Sequence, residues 1–444
     1  MCRSFVGLVS LLTGLFLRAG RGQMYGDAEL VYEWVGDQLD YTWPSDADRQ
    51  NALNSGAYIP DNNGIVGIKV HRSVVYVTVP RWREGVPASL AAVQDGTDRA
   101  LLRPFPGWDW HDPANCSVLQ YVQSMEIDPL GRMWIADVGR LYFRGVTPIN
   151  ACPPQLIVYD IIKGVVVRDF TFPNDVASYD SSFLNDLVVE PFQLFNGIPF
   201  QVDTSDPDPN KWFAYITDTS GDGAIIVYDF YNNLAHKVTD PSMAAEEDAT
   251  ILDIHGVQVT TRAPVDGIAL SPVSSADHRV YYCSLSGYSL FSVPSSVLRD
   301  PDISAISNQV TNHGRKVSQS DGLAMSDTGV LYFGALTLDG VYKWDTSLPL
   351  SSQELVLANH TKMQWVDTFG FDEKGYLWFA DKDKIQDNLV GTANFTGQVS
   401  RVWKVYVGEG SYMSVKTSGE KKTSNSVVLI LVATAMSYLS VYVL

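Results

Sequence analysis

A two-strand phrase recurs along the chain: an apolar strand, a short Asp/Gly turn, an aromatic-rich strand and often a closing Asp. Clear copies are MEIDPLGRMWIADVG at 125–139, DGLAMSDTGVLYFGALTLDG at 321–340 and FGFDEKGYLWFADKD at 369–383. Looser copies run over 184–218 and 266–286, and IVGIKVHRSVVYVTVP, ending at Pro80, makes a sixth. Hairpins repeating at intervals of roughly fifty to eighty residues are the signature of propeller blades. A lone blade cannot bury both faces, so the copies must pack radially around a channel. The expected fold is all-β, a six-bladed β-propeller, with a strand from one terminus completing the blade built by the other so that no edge is left open.

The ends are different material. Phe5 to Leu17 is an apolar run behind Arg3, followed by small residues near Gly20, so 1–22 reads as a signal peptide. The propeller is expected over 25–408 and a polar linker over 409–426. A hydrophobic tail at 427–444 reads as a glycolipid-anchor signal, with attachment at Ser418, or as a membrane anchor. Either reading places the protein outside the cell, secreted or attached to the outer face of the plasma membrane. Sequons at Asn115, Asn359 and Asn394 suit that route. In an oxidising compartment Cys116 and Cys152, which flank the second hairpin, are the expected disulfide, leaving Cys283 as a buried thiol. Two stretches read as long loops: 88–113, and 191–211.

The formal charge of −18 comes from scattered acids, which argues against a nucleic-acid partner, whose phosphates need basic patches. Strand direction sorts those acids. Asp186, Asp266 and Asp321 open first strands, while Asp137, Asp218 and Asp381 close second strands, so all six belong to one mouth of the channel. Asp128, Asp327 and Asp372 belong to turns on the opposite rim. Carboxylates converging on a funnel need compensation, from Ca²⁺, from a protonated amine beside aromatic faces, or from backbone N–H groups that each Asp caps within its own blade. Trp108, Trp110 and His111, in PFPGWDWHDP, either roof a pocket or pack on the propeller. The chain lacks G-x-S-x-G, H-E-x-x-H, C-x-x-C and phosphate-loop motifs, and only His255 and His313 suggest themselves as proton shuttles.

NCSVLQYVQSMEIDPLGRMWIADVG with CPPQLIVYDI (115–161), SSFLNDLVVE (181–190), YITDTSGDGAIIVYDF (215–230) and DGIALSP…YYCSLSGYSLFSVPSSVLRD (266–300) resemble the yellow/major royal jelly protein family over about 25–408. The resemblance implies a secreted six-bladed propeller whose channel binds biogenic amines in some relatives and is linked to dopachrome conversion in others. By blade register the family's ligand positions fall on Asp137, Asp218, Ser320, Asp321 and Thr368. The expected function is binding of small aromatic amines or catechols, with Asp186, Asp266 and Asp381 completing the ligand-binding set. If the chain is an enzyme it converts dopachrome, with Asp321 or Asp137 as the base. The alternatives are a Ca²⁺-dependent lactonase and a non-catalytic structural or signalling surface protein. No cofactor is expected under the first reading, and Ca²⁺ under the second.

Overall fold

The computed structural model describes residues 24–25, 28–143, 148–150, 152–191, 212–303, 305–383 and 397–414. The segments 1–22 and 427–444, with Ser418 and Asn394, lie outside them, as does nearly all of 191–211. Six antiparallel sheets follow one another and form a six-bladed propeller. The first blade is Ile68–His71, Val74–Thr78, Leu90–Gln94 and Leu101–Pro104. The second is Val122–Ile127, Arg132–Asp137, Gln155–Asp160 and Val165–Thr171, and the third Leu184–Pro191, Trp212–Asp218, Ala224–Asp229 and Leu234–Val238. The fourth is Val265–Leu270, Arg279–Ser284, Ser289–Pro294 and Thr311–Arg315, and the fifth Leu323–Met325, Val330–Ala335, Gly340–Asp345 and Glu354–Asn359. In the sixth, Val366–Phe371, Tyr376–Lys382 and Val399–Tyr406 are joined by the amino-terminal strand Ala28–Val35, which pairs antiparallel with Val399–Tyr406.

Two expectations are corrected. The stretch 88–113 is not a long loop, because LAAVQ and LLRP within it are the outer strands of the first blade. Its Pro, Arg and Gln residues dilute the alternation by which such strands are recognised. An α-helix, Asp46–Ser55, interrupts the all-β pattern. It buries no residue, so no apolar stripe advertised it, but its ends are capped: the Ser45 hydroxyl accepts from the Asp48 N–H at 3.2 Å, and Gly56 follows at φ +77°.

The turn rim repeats one device. Asp128 accepts from the Leu130 and Arg132 N–H groups and from Trp134 Nε1; Asp372 accepts from Lys374, Tyr376 and Trp378 Nε1 in the same way. In the fifth blade Ser326 takes this place, accepting from the Thr328 and Val330 N–H groups. Asp327, one residue later, is instead engaged with Gly410 in both directions.

The packed body continues past Gly408 to Ser414, through residues read in sequence as the start of a linker. Tyr332 donates to Glu409, Ser411 bridges Ser326, and the Tyr412 N–H donates to the Met325 carbonyl. The buried Tyr412 hydroxyl makes two 2.9 Å bonds to the backbone of Val189, one accepted from its N–H and one donated to its carbonyl. This segment ties the third, fourth and fifth blades together across the turn-rim mouth.

Cys116 and Cys152 form a disulfide, and Cys283 is a buried free thiol. Asn115 is exposed, whereas Asn359 is buried and its Oδ1 caps the following turn at Thr361 and Lys362. Among the described residues no helix is long and apolar enough to cross a membrane.

Candidate functional site

The six first strands carry equivalent positions near their starts: Val66, Gln123, Asn185, Asp266, Asp321 and Asp367. Register irregularities follow in the second, third, fourth and sixth blades, between Val122 and Ser124, Leu184 and Leu187, Val265 and Ile268, and Val366 and Phe369. Such bulges re-aim side chains, and here they turn this layer into the channel. The residue after each must be small where the next blade crowds in. A Cβ on Gly267 would come within 2.2 Å of the Asp321 carbonyl oxygen, and one on Gly322 within 2.2 Å of that of Asp367. The Asp-Gly pairs at 266–267 and 321–322 therefore serve both tasks: a carboxyl for the channel and clearance for the neighbouring blade.

Gln123, Asn185, Asp266, Asp321 and Asp367 floor a cavity of about 360 Å³ at the strand-start mouth. Trp82, Phe143, Phe183 and Trp365 supply aromatic wall, and Lys382, Arg140 and Arg262 its cations. Asn185 Nδ2 donates to Asp266 Oδ1 at 2.5 Å, and Trp365 Nε1 donates to Asp321 Oδ2 at 2.5 Å. Asp367 is paired with the Lys382 ammonium and accepts from Thr368 Oγ1 at 2.8 Å. Lys382 also lies 5.1 Å from the centre of the Trp82 ring.

Three buried carboxyls beside one ammonium cannot all ionise. Burial, and then the charge of Asp367, push Asp321 up to about 7. Burial, and then the charge of Asp321, hold Asp266 well above the carboxylate range. Asp266 and Asp321 line the same cavity and act on each other directly. The pair therefore retains a proton to higher pH than an isolated carboxyl would, and that proton belongs to the two together.

The other residues expected here are placed differently. Asp137 accepts from the Gln120, Tyr121 and Gly139 N–H groups and from Gln155 Nε2. Asp218 accepts from Ser182 Oγ and the Phe183 N–H, and Asp381 from the Gln364 and Trp365 N–H groups and Arg401. All three share the rim yet cap the entry to their own blade's first strand, and none lines the cavity. Ser320 is fully buried, with its hydroxyl 3.4 Å from the Gly322 carbonyl.

Deeper in the channel, Thr368 and Asp186 line a void of about 10 Å³. Asp186 accepts from Ser124 Oγ at 2.8 Å, and burial pushes it up to about 6. Below lies a cavity of about 60 Å³ that reaches Tyr412, with the Lys69/Glu126 ion pair on its wall at 3.0 Å.

Trp108, Trp110 and His111 do not roof the cavity. Trp108 packs on Tyr41 and Trp43, Trp110 meets Tyr159 edge-on, and the buried His111 reaches the Phe105 carbonyl. His255 pairs with Asp339, and His313 contacts Ser292 Oγ and stacks on Tyr281; neither lines the cavity. The residues that sequence reasoning missed are Asp367, Lys382, Asn185, Gln123 and the aromatic wall. Aligning VDT at 366–368 with VDG at 265–267 and SDG at 320–322 finds Asp367 one residue before Thr368.

A sequence model of the Major royal jelly protein family matches residues 120–415. The chain is 29% identical over 344 residues to Major royal jelly protein 5 of Apis mellifera, covering 76% of this chain and 53% of that relative, so it spans about half the relative's length. It is 25% identical over 379 residues to the dopaminechrome tautomerase of Drosophila melanogaster, covering 82% of this chain and 76% of that one. A solved gluconolactonase from Xanthomonas campestris superposes with a TM-score of 0.42 at 11% identity, over 77% of this chain and 85% of that one. With the family model covering more than half its length, the chain belongs to the Major royal jelly protein family.

Proposed function

We propose that the cavity binds small aromatic amines and catechol derivatives and acts as an acid–base site, rearranging an aminochrome, the cyclised quinone form of a catecholamine, to its dihydroxyindole tautomer. The observation that carries this reading is the pair of buried carboxyls, Asp266 and Asp321, lining an aromatic-walled cavity. The rearrangement moves two protons, one from each saturated ring carbon, to the two quinone oxygens and leaves the formula unchanged, so it needs a base, a proton return and donors for the developing oxyanion. Asp321, ionising near 7, takes the carbon-bound proton. The pair then holds one proton more and returns one to a quinone oxygen, restoring its starting state, and a second transfer of the same kind, from the neighbouring carbon to the other oxygen, completes the dihydroxyindole. Lys382 supplies a positive charge beside that oxygen. A volume of about 360 Å³ is near the lower end for small-molecule sites and suits a bicyclic ring system. The likeness to a dopaminechrome tautomerase supports the same chemistry. The Cys116/Cys152 disulfide supports an extracellular setting, secreted or held at the outer membrane face.

The test is aminochrome conversion by purified D321N and D266N, with the spontaneous rate subtracted. Loss of a general base predicts a fall of about 100-fold or more for D321N. Conversion by D321N within about threefold of the parent overturns the assignment, and a parent that binds indoles without turnover leaves a carrier.

A second reading, Ca²⁺-assisted lactone hydrolysis, is favoured by the convergence of Asp266, Asp321 and Asp367, oxygen donors of the kind Ca²⁺ takes. Their charge is already offset by Lys382 and the shared proton, which the ion would have to displace. Among the described residues no cluster of three or more His, Cys, Asp or Glu side chains has metal-binding geometry. A stoichiometric divalent ion retained through dialysis, with lactonase activity lost on chelation, would carry this reading over the first.

A further inference from the structure

Of the three cations lining the cavity, two are already paired. Lys382 is held by Asp367, and Arg262 makes a two-pronged contact with Glu247 at 2.7 and 2.8 Å. Arg140 is different. Its Nη1 donates to the uncharged Asp180 carbonyl at 2.8 Å, its Nε is buried without a hydrogen-bond partner, and among the described residues no carboxylate forms an ion pair with it. The charges of Asp218 and Asp180 reach it only through space, and burial lowers its pKa from the usual guanidinium value. Its guanidinium lies 5.4 Å from the centre of the Phe143 ring, which lines the same cavity.

We infer that Arg140 determines specificity in this cavity and that the cavity takes an aromatic ligand bearing a carboxylate, whose two oxygens the guanidinium receives. The inference rests on the acid–base reading for the reaction but not for binding. A guanidinium on the cavity wall with no carboxylate partner among the described residues is free to take one from a ligand, and the planar fork of Arg matches a carboxylate. The placement fits a ring compound held between opposite poles. Arg140 belongs to the second blade and Asp321 to the region opening the fifth, and these stand opposite each other in a ring of six. Phe143 and Phe183 flank the space between. An analogue without the acid leaves the guanidinium unsatisfied, the circumstance in which polar sites discriminate most strongly.

The experiment has a binding arm and a kinetic arm. Titration calorimetry compares indole-2-carboxylate with indole on the parent protein, R140Q and R140K. The parent is expected to bind the carboxylate at least about tenfold more tightly than indole, R140Q to lose that preference and R140K to restore part of it. In the kinetic arm, the ratio of kcat/KM for dopachrome, which bears the carboxylate, over dopaminechrome, which lacks it, is expected to fall at least about tenfold in R140Q. Equal affinities of the parent for the two indoles, or an unchanged preference in R140Q, overturn the inference. Arg140-dependent binding without turnover of either aminochrome leaves the inference standing and removes the proposed reaction. Turnover of both with an unchanged ratio does the reverse. Thermal melts of unliganded R140Q and R140K verify that both are folded.

Discussion

Replacing Asp321 by Asn should change how stability depends on pH, by an amount the structure sets. In the unfolded chain this carboxyl ionises near 3.8, and in the folded protein near 7. Between those values the folded protein keeps a proton that the unfolded chain has lost, so stability falls as pH rises through that window and levels above it. At about 1.4 kcal/mol per pH unit, the contribution is about 4 kcal/mol over the whole window, of which about 3 kcal/mol falls between pH 5 and pH 8. The Asn amide does not ionise, and its carbonyl oxygen can still accept from Trp365 Nε1. Removing the Asp321 charge also eases ionisation of Asp266, in the same direction. Asp186, pushed up to about 6, titrates in this window in both proteins and cancels in the comparison. Urea unfolding at pH 5 and pH 8 should therefore show the parent losing about 3 kcal/mol more than D321N across that step. Equal losses within about 0.5 kcal/mol would refute the reasoning, since the carboxyl would then ionise in the folded protein as it does in the unfolded chain.

K382M leaves Asp367 buried without its partner, and removing one member of a buried pair costs about 3–5 kcal/mol. Urea unfolding of K382M beside the parent checks this, and a loss below about 1 kcal/mol would refute it. D137A deprives three backbone N–H groups and Gln155 of their acceptor and should cost at least about 3 kcal/mol while indole-2-carboxylate still binds; lost binding with intact stability would place Asp137 in the site instead.

The blades were legible because a hairpin buried on both faces must be written in apolar and aromatic residues with a small turn between them. The mouth bearing the acids was legible from strand direction alone, which placed Asp266 and Asp321 there among six. Which acids face the channel was not legible. Asp137, Asp218 and Asp381 occupy the same rim, and whether a carboxylate meets ligand or its own blade's N–H groups depends on bulges that leave no mark in composition. Lys382 was hidden for another reason. It ends an apolar strand in the company of Asp381 and Asp383, where a basic residue reads as an ordinary surface neighbour, yet it is 1% exposed. Arg140 opens a two-residue strand, Arg140–Leu141, and Trp82 lies in a connection between strands, both too short or irregular for any periodicity to place.

Tyr412 gives the channel a floor. Its hydroxyl is bonded to Val189 on one side of the turn-rim mouth and its backbone to Met325 and Val273 on the others, so the side chain lies across that mouth. A ligand of the proposed site would then exchange past Arg140 and Trp82, and a molecule on its way out would bar the next from coming in. Under the proposed reaction, the product would compete with fresh substrate for the acid-bearing mouth.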